Sequence, residues 1–221
     1  ARGLAEVLRK QAGVAYARVH ETVIVDDARP VQPDDVRRAL DGLAAMKPED
    51  TAIVLLAGHG VTLGGGEMVF LTSMASRKPD EARAASIAWK DVAAALARAR
   101  GRVLVLLDAC HSGRMTQGLT VPNGELAGAL SQDGRAGAVV FAAAKGRQLS
   151  EEATWNGVFT GAVLRALASP STDGNHDGAV QLSELVEVVT RDVSERTKNR
   201  QAPWVVRREL FGDFRVAAAA R

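Results

Sequence analysis

Cys110 and His59 are the residues of this sequence best equipped for covalent chemistry. Cys110 is the only cysteine among 221 residues, and it closes an apolar run in VLVLLDACHSG, residues 103–113. His59 closes a second apolar run, TAIVLLAGHG, residues 51–60. A thiol attacks as its thiolate. A nearby imidazole can accept the thiol proton and return it to a leaving amine. Glycine follows close behind each residue, which lets the backbone approach a substrate carbonyl. The backbone N–H groups of Gly60 and Cys110 are then candidates to hold the developing oxyanion. Each residue also has a plainer reading. A cysteine in an apolar strand is often a small buried hydrophobe, and a histidine beside glycine is often a turn residue. The coincidence favours chemistry, because both residues end buried strands and both are flanked by small side chains.

The two runs read as strands buried on both faces, since neither alternates polar with apolar residues. RVLVLLDA (102–109) and AGAVVFAAA (136–144) have the same character, and VAYARVHETVIV (14–25) and EMVFLTS (67–73) read as further extended segments. Helices are expected over 4–12, 33–46, 86–101, 156–168 and 182–197, with Ser86 as the N-cap of the third. Strands alternating with helices define an α/β fold with a mostly parallel sheet. In such sheets sites form at the carboxyl ends of the strands. Parallel strands would therefore bring His59 and Cys110 to one edge. Residues 115–135 are the most loop-like interior segment, and the whole chain, 1–221, reads as one domain.

Bulk composition narrows the partners. The net charge of +2 gives no field that argues for nucleic acid. The densest basic stretch, RTKNRQAPWVVRR (196–208), reads as a solvated surface. No apolar run approaches the roughly 20 residues of a membrane span. A single cysteine rules out an intrachain disulfide and a cysteine-cluster metal site, and it points to a reducing, cytoplasmic setting. The chain opens directly on a helix without methionine, so it is expected to be cut from a longer protein whose other modules are possible partners.

A second motif stands apart from the first. DGNHDGAVQLSE (173–184) fits a twelve-position calcium loop. Asp173, Asn175 and Asp177 fall at positions 1, 3 and 5, Gly178 at 6, the Ala179 carbonyl at 7 and Glu184 at 12. Asx-rich turns of this kind also cap helices without metal, so Ca²⁺ here is an expectation about ordering the loop. No cofactor is expected for the chemistry at Cys110.

LLAGHG and LLDACHSG, in this order, resemble the histidine and cysteine motifs of the caspase-like cysteine peptidases, specifically the bacterial and metacaspase (orthocaspase) branch. Animal caspases carry glutamine-alanine-cysteine, whereas this chain has Asp108-Ala109-Cys110. AVVFAAAKGRQLSEE (138–152) and NGVFTGAVLRAL (156–167) resemble the strand, loop and helix that follow in the family, and the likeness spans about 4–215. The resemblance implies that the α/β fold is a three-layer α/β/α sandwich. It implies a cysteine endopeptidase with His59 as general base, Cys110 as nucleophile, and the amides of Gly60 and Cys110 as oxyanion hole. It implies that Asp108 lines the pocket for the residue before the cut bond. A buried carboxylate there favours Arg or Lys, because guanidinium answers it with charge and paired hydrogen bonds. The substrate is then a protein or peptide cut after a basic residue. The alternative for Asp108 is a structural carboxylate that ties down a loop. The alternative for the whole chain is a catalytically silent scaffold or a calcium-responsive interaction module.

The chain departs from the family pattern in several places. An apolar strand usually precedes the first helix, and metacaspases draw a second pocket acid from near it. Here that strand is expected to be omitted or supplied by another segment. Ala57, two before the histidine and counted with the substrate pocket, stands where a small polar residue is common. Residues 61–76 lack the acidic cluster that binds activating calcium in some metacaspases. His111 should point away from the reaction, and His20 and His176 read as surface residues. Arg114 and Arg135 are candidates for self-processing between the cysteine strand and the next one.

Overall fold

A computed structural model describes residues 1–63, 66–73, 79–109, 138–143, 152–153, 156–207 and 213–220. In chain order these form α1 (Arg2–Arg9), α2 (Pro33–Asp41), β1 (Thr51–Thr62), β2 (Met68–Leu71), α3 (Pro79–Ala84), β3 (Ser86–Ala88), α4 (Trp89–Ala97), β4 (Arg102–Ala109) and β5 (Ala138–Ala142). They continue with β6 (Glu152–Ala153), β7 (Asn156–Gly157), α5 (Val158–Ala168), β8 (Ala179–Gln181), α6 (Leu182–Arg196), β9 (Trp204–Arg207) and β10 (Arg215–Ala218).

The central sheet has six strands in the order β3-β2-β1-β4-β5-β9. Its middle pairs, β1 with β4 and β4 with β5, are parallel. The outer pairs are antiparallel. Strand alternation sends successive side chains to opposite faces, and β4 shows it clearly. Leu104 and Leu106 pack with Val139 and Phe141 against α1, α5 and α6. Val103, Val105 and Leu107 pack with Val140 and Ala142 against α2 and α4. These β4 side chains are at most 2% exposed, so the apolar runs mark strands covered on both sides and the three layers follow. Phe141 and Phe159 meet edge to face, 4.9 Å between ring centroids, and lock β5 to α5.

Several elements differ from the sequence reading. The helix expected over 86–101 begins only at Trp89. Ser86 does not cap it. Ser86–Ala88 form an edge strand in which Ile87 faces Phe70, and the Ser86 hydroxyl donates to the Arg83 carbonyl. Burial decides this, because Ile87 and Trp89 are almost fully enclosed. Residues 14–25 form no strand, and an isolated bridge between Ala12 and Tyr16 is the local pairing there. Tyr16 instead donates its hydroxyl to the carbonyls of Arg215 and Val216. The stretch expected to be a solvated basic surface contains β9, whose Trp204 and Val205 pack on opposite faces of the sheet. The packing of Trp204 and Val205 outweighs the charges around them.

Candidate active site

The candidate site lies where the pairing of β1 with β4 ends. Their register runs from Thr51 opposite Arg102 to Ala57 opposite Asp108 and Gly58 opposite Ala109. His59 is the next residue along β1, and Cys110 is the next residue in the chain after Ala109. Cys110 itself lies outside the described residues, as do His111, Arg114 and Arg135. Two parallel strands thus run in register up to the residues that precede His59 and Cys110 in sequence.

His59 is not at a strand tip, as the sequence suggested. β1 continues through Thr62 and turns back into β2, with His59 opposite Leu71 and Gly60 opposite Phe70. Its apolar continuation explains this, since Val61 and Leu63 bury against Val69 and Ala82. At His59 the neighbour of β1 therefore changes, from β4 on one side to β2 on the other. His59 is exposed, whereas Gly60 behind it is buried.

The hairpin register also fixes where the Gly60 amide points. The Leu63 N–H donates to the Glu67 carbonyl. Hydrogen-bonded and non-bonded pairs alternate along an antiparallel ladder. Counting back from Leu63, the pair of Val61 with Val69 and the pair of His59 with Leu71 are bonded, and the pair of Gly60 with Phe70 is not. The Gly60 N–H accordingly turns away from β2, toward the side on which β4 ends.

Gly58 is a steric requirement. A Cβ there would fall 2.7 Å from the Phe70 ring. That ring is partly buried and packs edge to face on buried Trp89, 5.8 Å between centroids, so a side chain at Gly58 would have to displace it.

Asp108 is 4% exposed and faces the α5 layer. Its Oδ2 accepts the Thr160 N–H at 3.2 Å and the Thr160 hydroxyl at 2.5 Å. Thr160 is the third residue of α5, whose N-cap is Gly157 and so has no side chain to cap with. Asp108 performs that task from a neighbouring strand. Its carboxylate satisfies an orphan N–H and sits against the positive end of the helix dipole. Ala57, its cross-strand partner, is exposed. The two substrate-pocket residues named from the sequence are therefore neighbours, and Asp108 also ties down α5. Thr160 and Gly157 were not foreseen, since no local pattern says which strand end will meet which helix start.

The loop 173–184 lies elsewhere, between α5 and α6. Asp173, 5% exposed, accepts the N–H groups of Asp177 and Gly178. Asn175 accepts from Asp177, and Asp177 accepts from Ala179. Glu184 takes the N–H groups of Gly174 and Asn175 on one oxygen and that of Gln181 on the other. Hydrogen bonds from the Gln181 amide, the Ala179 N–H and the Asn175 amide, together with nearby Arg215, hold Asp177 below its usual pKa against some desolvation. All five expected calcium donors share this loop. Among the described residues, however, no three His, Cys, Asp or Glu side chains are grouped as a metal shell would need. Among them, too, no helix is long and apolar enough to cross a membrane.

The layer order and the paired strand ends define a caspase-like fold. The chain belongs to the caspase-domain family, whose model matches residues 1–215. The family is one of cysteine peptidases, with proteins or peptides as substrates. A crystal structure of a protein from Geobacter sulfurreducens is similar over 80% of this chain and 73% of that one, at 18% identity and a TM-score of 0.52. Caspase-1 from Spodoptera frugiperda is similar over 93% of this chain and 75% of its own, at 18% identity and a TM-score of 0.50. A search of curated proteins finds no match.

Proposed function

We propose that the chain is a cysteine endopeptidase that cuts after arginine or lysine through Cys110 and His59. The observation that carries this reading is the register of β1 and β4, whose last pair, Gly58 with Ala109, is followed in sequence by His59 and Cys110. His59 takes the thiol proton. The thiolate attacks the carbonyl carbon, and the C=O electron pair moves onto oxygen. The amides of Gly60 and Cys110 receive that oxyanion. Collapse of the adduct expels the amine, which takes the proton from His59. Water, deprotonated by the same imidazole, then releases the acyl group as a carboxylate and restores the thiol. Asp108 supplies the negative charge that pairs with the basic side chain before the cut bond.

The test is covalent trapping. A peptide chloromethyl ketone ending in arginine is expected to add its peptidyl mass at Cys110, with mapping to that residue by fragmentation. His59→Ala should slow labelling at least a hundredfold. Equal labelling of the His59→Ala chain would remove the base from the account. A chain that resists the reagent altogether would favour the silent scaffold. For the 173–184 loop, Ca²⁺ bound through Asp173, Asn175, Asp177, the Ala179 carbonyl and Glu184 is a separate proposal that rests on donor spacing. Calorimetric titration with Ca²⁺ that shows no heat would reject it.

A further inference from the structure

We propose that Thr160 is a positioning residue for the Asp108 carboxylate and thereby sets the preference for a cationic over a neutral side chain before the cut bond. This rests on the reading that Asp108 receives that side chain.

The argument begins with freedom. The carboxylate torsion of an aspartate is broad and soft, so burial alone does not fix the plane of its oxygens. Two donors from one residue do. The Thr160 N–H and hydroxyl both converge on Oδ2. The N–H belongs to the first turn of α5, and the hydroxyl sits on a β-branched side chain with few rotamers. Gly157 closes another side, because a Cβ there would lie 2.5 Å from Oδ2, 3.0 Å from Oδ1 and 3.1 Å from Cγ. Gly157 thus crowds the oxygen edge of the carboxylate, and Thr160 pins one of its oxygens.

A guanidinium recognises a carboxylate through two coplanar hydrogen bonds. A carboxylate whose plane is already set loses less freedom on binding, and affinity rises by that saving. A neutral side chain of the same shape gains little from the same plane. Thr160 therefore acts on the difference between charged and neutral ligands, which a merely structural role would leave alone.

The experiment uses the full chain carrying Cys110→Ala, so that peptide binds without being cut. Calorimetry compares an acetylated peptide amide containing one arginine with the same peptide containing citrulline, the neutral isostere. The parent chain is expected to prefer arginine. Thr160→Val keeps the N–H and the shape but removes the hydroxyl, and it should lower the arginine-to-citrulline affinity ratio about tenfold. Thr160→Ser should restore it. A preference that survives Thr160→Val unchanged overturns the positioning role and leaves the basic-residue pocket standing. A parent chain that shows no preference for arginine overturns that pocket, and the inference with it.

Discussion

Gly58 is as constrained as the histidine beside it. Phe70 fills the space a side chain would need and is itself held by Trp89. Gly58→Ala should therefore cost about 1–3 kcal/mol of stability, the range for overpacking a fixed neighbour. It should also lower turnover, because relief of the clash moves the strand that carries His59. Urea unfolding and peptide hydrolysis on the same preparation check both halves. The two positions of interest were legible in the sequence, since residue type and place at the end of an apolar run single out His59 and Cys110. The reason for Gly58 was not legible. It depends on a ring that reaches it across a hairpin, and the sequence shows the hairpin without showing which side chain lies over which.

At the scale of elements, β4 and α5 are joined through Asp108, and both partners of that joint are testable. Gly157→Ala places a methyl against the carboxylate. It should destabilise the chain by about 1–3 kcal/mol and push Asp108 off Thr160. Asp108→Ala leaves the first turn of α5 without its cap, at a cost of about 1–2 kcal/mol in urea unfolding. In the 173–184 loop, Gly178 has φ of +84° with open space around its Cα. Gly178→Ala should therefore cost about 1 kcal/mol from backbone strain alone, with no clash. Thermal unfolding with and without Ca²⁺ checks it. Most elements were legible from apolar periodicity and breakers. The exception over 86–101 is instructive, because a helical pattern loses its first turn to a sheet edge that needs Ile87. Tertiary pairing outweighs a weak local preference there.

Across the whole molecule, the layers are held by burial and trimmed by charge. Asp192 on α6 takes two hydrogen bonds from Arg165 on α5 and one from Arg196. Partial burial pushes its pKa up, and the two guanidiniums overcome that, leaving it below the usual 3.8. Asp35 at the start of α2 is held well below the same value by the Arg29 side chain and the Gln32 N–H. A depressed folded-state pKa means that the unfolded chain takes up the proton first. The stabilisation is present above about pH 4 and lost as pH falls below it. The urea midpoint should therefore begin to drop below about pH 5 and keep falling below about pH 3, toward the depressed folded-state pKa of Asp35. Asp35→Asn with Asp192→Asn should flatten that drop, and an unchanged slope in the double variant would contradict the assignment. The α/β class with a mostly parallel sheet was legible at this scale from the order of strands and helices, and the three layers from the family resemblance. The open question for a sequence reader was how the outer strands pair, because β9 and the β8–β10 ribbon are short and their partners are distant in the chain.

The central claim is that two paired strand ends make a peptidase specific for basic residues. Its most direct test is the hydrolysis of fluorogenic peptides ending in arginine, lysine or aspartate, with and without Ca²⁺, beside the Cys110→Ala chain. The account predicts release after arginine and lysine, none after aspartate, and none from the Cys110→Ala chain. Cleavage after aspartate would keep the mechanism and contradict the role of Asp108. Cleavage that persists without the thiol, or no cleavage of any peptide by the intact chain, would contradict the account at its centre.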